Sequence, residues 1–222
     1  MLVPAQSQPT DLFTAIRSGD LERVRSLLAQ DPALVNQRNE RGHTPVLIAQ
    51  YHHKRDVVQE LLAHGPELDV FDACCVGRTA RVAELLDADP VLLDAYNSDG
   101  FFPLGLAAFF GHPETVRLLL TRGADLTAVA RNPMKVQALH AGAASRNLAV
   151  VQLLVEAGAP VDTAQQEGWT PLHAAAQHGD LEMARVLLAK GADPKRPNDK
   201  GVSPIGVAAE RGDGNMLKLL KG

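Results

Sequence analysis

Histidine and cysteine are the side chains here best suited to chemistry, and four of the eight histidines, His43, His52, His53 and His64, crowd into one short stretch. Imidazole nitrogens suit zinc, copper and nickel, so the cluster reads as a candidate metal- or ligand-dependent sensor. Against that reading, His52 and His53 are adjacent and point in different directions on a helix, and no cysteine or carboxylate stands at metal-ligand spacing beside them. Cys74 and Cys75 are neighbours, where an ordinary disulfide would be strained, so they read as reduced thiols rather than a staple. A nucleophilic Cys75 would need a base close by. No histidine or basic residue closely precedes it and apolar Val76 follows, which fits a buried or half-buried thiol better. Phosphate-cradling glycine loops, dinucleotide fingerprints, paired-histidine zinc helices and nucleophile elbows are absent. The expectation is a non-enzyme without a cofactor.

The chain has 222 residues, 45% hydrophobic and 22% charged, which is ordinary for a folded soluble protein. No apolar run reaches the ~18 residues of a membrane span, and the first ten residues lack the basic start and apolar core of a secretory signal. A cytoplasmic location follows as the expectation, with no membrane contact. The formal charge of -4 argues against general affinity for nucleic acid. Charge is uneven: residues 56–99 hold ten acidic side chains against Arg78 and Arg81, whereas residues 190–222 hold seven basic against four acidic. That asymmetry could steer a partner, although solvated helix faces account for such charges equally well.

The elements that position these residues follow from an internal period. Trp169-Thr170-Pro171-Leu172-His173, Gly179-Asp180, Val186-Leu187-Leu188 and Gly191-Ala192-Asp193 recur 33 residues earlier as Leu139-His140, Leu153-Leu154-Val155 and Gly158-Ala159. They recur 33 residues later as Pro204-Ile205, Gly212-Asp213 and Leu219-Leu220. Upstream, Pro103-Leu104, Gly111-His112 and Gly123-Ala124-Asp125 keep the same order, with two extra residues in the loop 131–135. The first hundred residues carry a duplication at an offset of 58, pairing Phe13 with Phe71, Gly19 with Gly77 and Asp31-Pro32 with Asp89-Pro90. Seven units result, at approximately 10–37, 42–65, 69–95, 100–123, 136–158, 168–191 and 201–222, in one domain preceded by a loosely held segment 1–9.

Each unit reads as two short antiparallel helices. In unit 168–191, Thr170 caps the first helix, Pro171 fits its first position and Gly179 stops it; Leu181, Ala184, Leu187 and Leu188 then share a face of the second. Neither helix is long enough to stand alone, so units must stack. The fold class is an all-α solenoid of stacked helix pairs with protruding loops or β-hairpin turns. Lys218 and Lys221, flanking Leu219-Leu220, suit a polar closing cap.

The threonine-proline-leucine-histidine, glycine-aspartate, leucine-leucine and glycine-alanine-aspartate series resembles the ankyrin repeat, and the divergent first and third units resemble the opening repeat of bacterial ankyrin proteins. Three units depart from the pattern: His53 and Arg146 replace the first-helix glycine, and the third unit lacks the threonine-proline turn. The resemblance implies that His140 and His173 make structural hydrogen bonds between loops and helices. It also implies protein binding on a concave groove, built from loop tips (His43, Phe101, Val136, Trp169, Val202) and the two residues before each first-helix stop.

Those pairs are Arg17-Ser18, Tyr51-His52, Cys75-Val76, Phe109-Phe110, Ala144-Ser145, Gln177-His178 and Glu210-Arg211. Of nine aromatics, Tyr51, Phe101, Phe109, Phe110 and Trp169 fall at these positions, with Phe102 beside them. Exposed aromatics anchor interfaces, so the candidate partner-binding residues are Tyr51, His52, Phe101, Phe109, Phe110, Trp169, Gln177 and His178. Mutual packing of Phe101, Phe102, Phe109 and Phe110 is the alternative for that quartet. The expected function is binding of an unidentified protein partner by a chain that is monomeric alone. The rivals are the histidine-cluster sensor and, by analogy with small bacterial ankyrin proteins, an accessory to a stress-response enzyme.

Overall fold

The computed structural model describes residues 11–222; the expectation for segment 1–9 lies outside them. Among the described residues, fourteen α-helices and three short 3-10 turns account for the regular structure, and no strand occurs. The helices come in pairs: α1 Leu12–Ser18 with α2 Leu21–Gln30, α3 Pro45–Tyr51 with α4 Arg55–Ala63, and α5 Val70–Cys75 with α6 Thr79–Ala88. Then follow α7 Pro103–Phe109 with α8 Pro113–Thr121, α9 Ala138–Ala144 with α10 Leu148–Glu156, α11 Pro171–His178 with α12 Leu181–Ala189, and α13 Pro204–Glu210 with α14 Gly214–Lys221. The chain divides into two compact units, one ending at Asp72 and one running Ala73–Gly222.

Within the first unit α1 packs on α2 and α3, while α2 packs on α4 and α3 on α4. Within the second, first helices α7, α9, α11 and α13 stack in succession, and second helices α6, α8, α10, α12 and α14 do the same behind them. The first helices are short, and α7 buries nearly its whole length; its Leu104, Leu106, Ala107 and Ala108 are at most 2% exposed. Alanine-rich sequences permit this, because a residue with a one-carbon side chain lets two helix backbones approach from both sides. Second helices bury one stripe only. In α12 that stripe is Met183, Ala184 and Leu187, while Leu181 and Leu188, expected on it, are half-buried.

Local chemistry sets the ends. Thr170 and His173 form a reciprocal capping arrangement at the start of α11, and Gly179 closes it at φ 68°. The same αL closure is made at positive φ by His53 (54°) and Arg146 (57°), the two units where glycine is missing. The offset of 58 is structural as well: Asp31 and Asp89 hold φ near -142° and -144° and accept from Ala33 and Val91 N–H, each opening a 3-10 turn, Pro32–Asn36 and Pro90–Asp94. Where the threonine-proline turn is lost, Asp69 Oδ1 accepts from the N–H groups of Phe71 and Asp72, at 2.9 Å each, to start α5.

Candidate functional site

The loop tips are held by a device that recurs. Asn39, Asn97 and Asn198 each donate their backbone N–H to the carbonyl four residues on, at His43, Phe101 and Val202. Each asparagine Oδ1 accepts the return N–H from the same residue, at 3.0, 2.9 and 3.0 Å. The tips are therefore closed loops rather than strands, and successive tips in the second unit are tied by Arg131 N–H to Gly100 O and Asp199 N–H to Glu167 O. The Asn-x-x-Gly spacing at 39–42, 97–100 and 198–201 carried this information in the sequence.

Behind the tips, His140 and His173 do the bonding expected of them. His173 Nδ1 accepts from Thr170 N–H at 3.1 Å and from its hydroxyl at 2.8 Å, which leaves Nε2–H to donate to Val202 O at 3.0 Å. His140 Nδ1 accepts from Gln137 N–H, and its Nε2–H donates to Thr163 O at 2.8 Å. Burial holds both rings below the usual imidazole range, so they stay neutral as this tautomer requires.

The aromatic candidates separate into three environments. Phe102 is core, 3% exposed, lying over Gly105 and against Tyr96 with ring centres 5.9 Å apart. Phe109 is 43% exposed at the end of α7 and meets half-buried Phe110 edge to face at 5.1 Å. Phe101 is half-buried at its tip, and Trp169 is half-buried with its ring tilted over His173 at 5.2 Å. Gln177 and His178 are exposed at the end of α11. Desolvation first, then the guanidinium charges of Arg146 and Arg211, hold the His178 pKa below its ordinary value, while Asp180 opposes them.

In the first unit, Tyr51 is half-buried with its ring edge-on to buried His43 at 6.2 Å, and His52 is exposed. His53 is also exposed, and His64 Nδ1 lies 2.9 Å from Glu60 O on α4. Among the described residues no group of three histidine, cysteine, aspartate or glutamate side chains is placed to hold a metal ion. Cys74 and Cys75 are fully buried, reduced thiols.

A second polar feature of this unit was not anticipated. Asp72 is 1% exposed; its Oδ1 accepts from the Thr44 hydroxyl at 2.6 Å, while Oδ2 has no hydrogen-bond partner among the described residues. It lines a cavity of about 70 Å³ together with Val35, Arg38, Thr44 and Glu67. Burial and the neighbouring Asp69 charge push its pKa up to about 7, against the Thr44 hydrogen bond and the charge of Arg38. Arg38 is engaged elsewhere, with Asp69 at 3.0 Å and Gly42 O at 2.7 Å. The sequence signal was an acid in the otherwise apolar run Val70-Phe71-Asp72-Ala73-Cys74-Cys75.

Two family descriptions match the chain: "Ankyrin repeats (3 copies)" over residues 139–222 and "Ankyrin repeat" over residues 99–131. Among curated proteins, the Ankyrin repeat and SAM domain-containing protein 6 of Mus musculus is 34% identical over 105 residues, 46% of this chain and 11% of that protein. The Nuclear factor NF-kappa-B p105 subunit of Gallus gallus is 29% identical over 168 residues, 68% of this chain and 17% of its own length. A Transient receptor potential cation channel subfamily A member 1 homolog of Caenorhabditis elegans is 29% identical over 169 residues, covering 72% and 13% respectively. The chain spans less than a fifth of each of these relatives. No helix among the described residues is long and apolar enough to cross a membrane.

Proposed function

Because this chain belongs to the ankyrin-repeat family, we propose that it is a non-enzymatic binding module that holds a partner protein along its first-helix ends and loop tips. Protein–protein interaction is the general work of such repeats. The observation that carries the assignment to this face is Phe109, a large ring left 43% in water on a helix otherwise buried, edge-on to Phe110. Rings at fixed positions bury much area on binding with little loss of side-chain freedom. The supporting frame is rigid, since stacked helices hold the ends and asparagine bonds hold the tips. Trp169, Gln177 and His178 extend the face in the second unit, and Tyr51 and His52 are their counterparts in the first. The module works in the cytoplasm, as a monomer when alone, without a cofactor.

The test is capture from native cytosol with wild type and a Tyr51→Ala, Phe109→Ala, Trp169→Ala variant whose circular dichroism matches wild type. A specific partner retained by wild type and lost by the variant is the expected result. Equal capture by both removes the aromatic positions from the binding face.

A further inference from the structure

We propose that the cavity beside Asp72 in the first unit binds a primary ammonium group, free or at the tip of a lysine side chain, with the Asp72 carboxylate as its counter-charge. Hydrogen bonds hold the wall of this cavity in place. Thr44, the N-cap of α3, accepts from Leu47 N–H and donates its hydroxyl to Asp72 Oδ1 at 2.6 Å. Arg38 spends Nη1 on Gly42 O and Nη2 on Asp69 Oδ2. Asn36, at the end of its 3-10 turn, accepts from Glu67 N–H at 2.8 Å. These bonds leave Asp72 Oδ2 as the buried side-chain oxygen of the lining that has no partner among the described residues.

A buried carboxylate oxygen without a donor is costly, and folded proteins rarely leave one so. Room for a donor lies beside it, since the cavity volume of about 70 Å³ exceeds the ~10–15 Å³ that a single water needs. The charges around the cavity favour a cation. Asp69, Asp72 and Glu67 stand against Arg38, and Arg38 is already paired with Asp69. The exposed Glu67 carboxylate makes no ion pair among the described residues, so it is free to meet an entering positive group.

The number of free acceptors selects the kind of cation. A guanidinium grips a carboxylate through two parallel N–H bonds, and Asp72 Oδ1 is already taken by Thr44. An ammonium is a compact point charge that needs one oxygen from each partner. A quaternary ammonium has no N–H to donate. A divalent ion wants a fuller set of ligands, and among the described residues no three acidic, histidine or cysteine side chains are placed to supply it. Burial and the Asp69 charge, opposed by Thr44 and Arg38, keep the proton on Asp72 up to a pH of about 7, so the counter-charge is present above that pH and withdrawn below it.

The test is titration of the full chain with methylammonium chloride at pH 8 in phosphate buffer, followed by amide and Asp72 carboxyl chemical shifts, with potassium chloride at equal ionic strength as the blank. Expected are saturable shifts at Thr44, Val46, Glu67 and Asp72, with a dissociation constant on the order of 10 mM, the range open to so small a ligand. Binding should weaken about tenfold at pH 6, where Asp72 holds its proton, at least about tenfold in Asp72→Asn and at least about twofold in Glu67→Gln. Asp72→Asn keeps the acceptor for Thr44 and Glu67→Gln alters an exposed side chain, so a lost fold does not mimic lost binding. Nα-acetyl-lysine N-methylamide separates the two sources: affinity about tenfold above that of methylammonium assigns the site to a partner's lysine, and a smaller gain assigns it to a free amine. No saturation by either probe, undiminished binding in Asp72→Asn, or equal binding of guanidinium or tetramethylammonium chloride overturns the ammonium site. None of the residues of the proposed binding face takes part, so failure here leaves that proposal standing.

Discussion

Replacing Asp72 with Asn tests the energetics of the first unit, because the amide keeps the acceptor for the Thr44 hydroxyl and removes only the charge. Asp72 has a folded-state pKa of about 7 against an ordinary 3.8, with burial the largest cause and Asp69 the next. A raised carboxyl pKa means that the folded state binds the proton more tightly than the unfolded one. Stability is therefore full below the unfolded value and is lost as pH rises toward 7, where the folded protein must bury the carboxylate. At 1.36 kcal/mol per unit, the loss over that window is on the order of 4 kcal/mol.

Wild type alone does not display this slope cleanly. His140, His173 and His178 have lowered pKa values, mainly through burial, so they remain neutral in the fold and stability falls as pH drops below their ordinary 6.5. The two slopes oppose each other. The difference between the Asp72→Asn variant and wild type cancels the histidines, which both proteins share. Melting followed by circular dichroism from pH 4.5 to 8.5 should show near-equal stability at the acid end. The variant should then pull ahead to a plateau above pH 7, on the order of 10 °C in melting temperature. Carbon-13 titration of the Asp72 carboxyl gives the direct value. A stability difference independent of pH, or a carboxyl that titrates below 5, refutes the assignment of a buried acid whose Oδ2 lacks a partner.

Arg146→Gly and His53→Gly should each raise unfolding stability by about 1 kcal/mol, since glycine takes the φ of 57° or 54° without Cβ crowding; urea titration of each single variant measures it. Gly100→Ala and Gly123→Ala share positive φ, yet a Cβ at 100 would lie 2.5 Å from the Arg131 carbonyl oxygen whereas one at 123 meets nothing within 4 Å. The first should cost at least about 1 kcal/mol more than the second by the same titration, and equal costs would mean that the tie between successive tips yields freely. Phe102→Ala should destabilise by about 3–5 kcal/mol, whereas Phe109→Ala should change stability by less than about 1 kcal/mol, as thermal melts will show.

Helix boundaries are readable in this chain because the groups that set them are close in sequence. Thr170, Pro171, His173 and Gly179 act within one turn of the helix ends they control, so spacing alone locates α11. The stop at positions 53 and 146 survives the loss of glycine because stacking overrides a local penalty of about 1–2 kcal/mol. The inference from period to fold therefore held even where the motif failed. Burial depth was less legible. Leu181 and Leu188 were expected on the buried stripe of α12, but Met183 lies deeper, since a flexible side chain fills a gap whose shape depends on the neighbouring helices.

The site residues divide along the same physical line. Phe101, Phe102, Phe109 and Phe110 look alike in sequence, and what separates core Phe102 from exposed Phe109 is the alternation between a tip, a helix start and a helix end. Chain position predicts that much. It cannot reveal that Arg146 and Arg211, 65 residues apart, act on one histidine, or that Thr44 takes the carboxyl of Asp72 from 28 residues away. Both depend on which side chains the stacking brings together. A repeat makes such convergences systematic, because residues at equivalent positions of successive units become neighbours. Charge read across neighbouring units, with His178 and Arg211 at one position of the repeat and Arg146 at the next, is accordingly the informative direction, whereas charge summed along the chain averages it away.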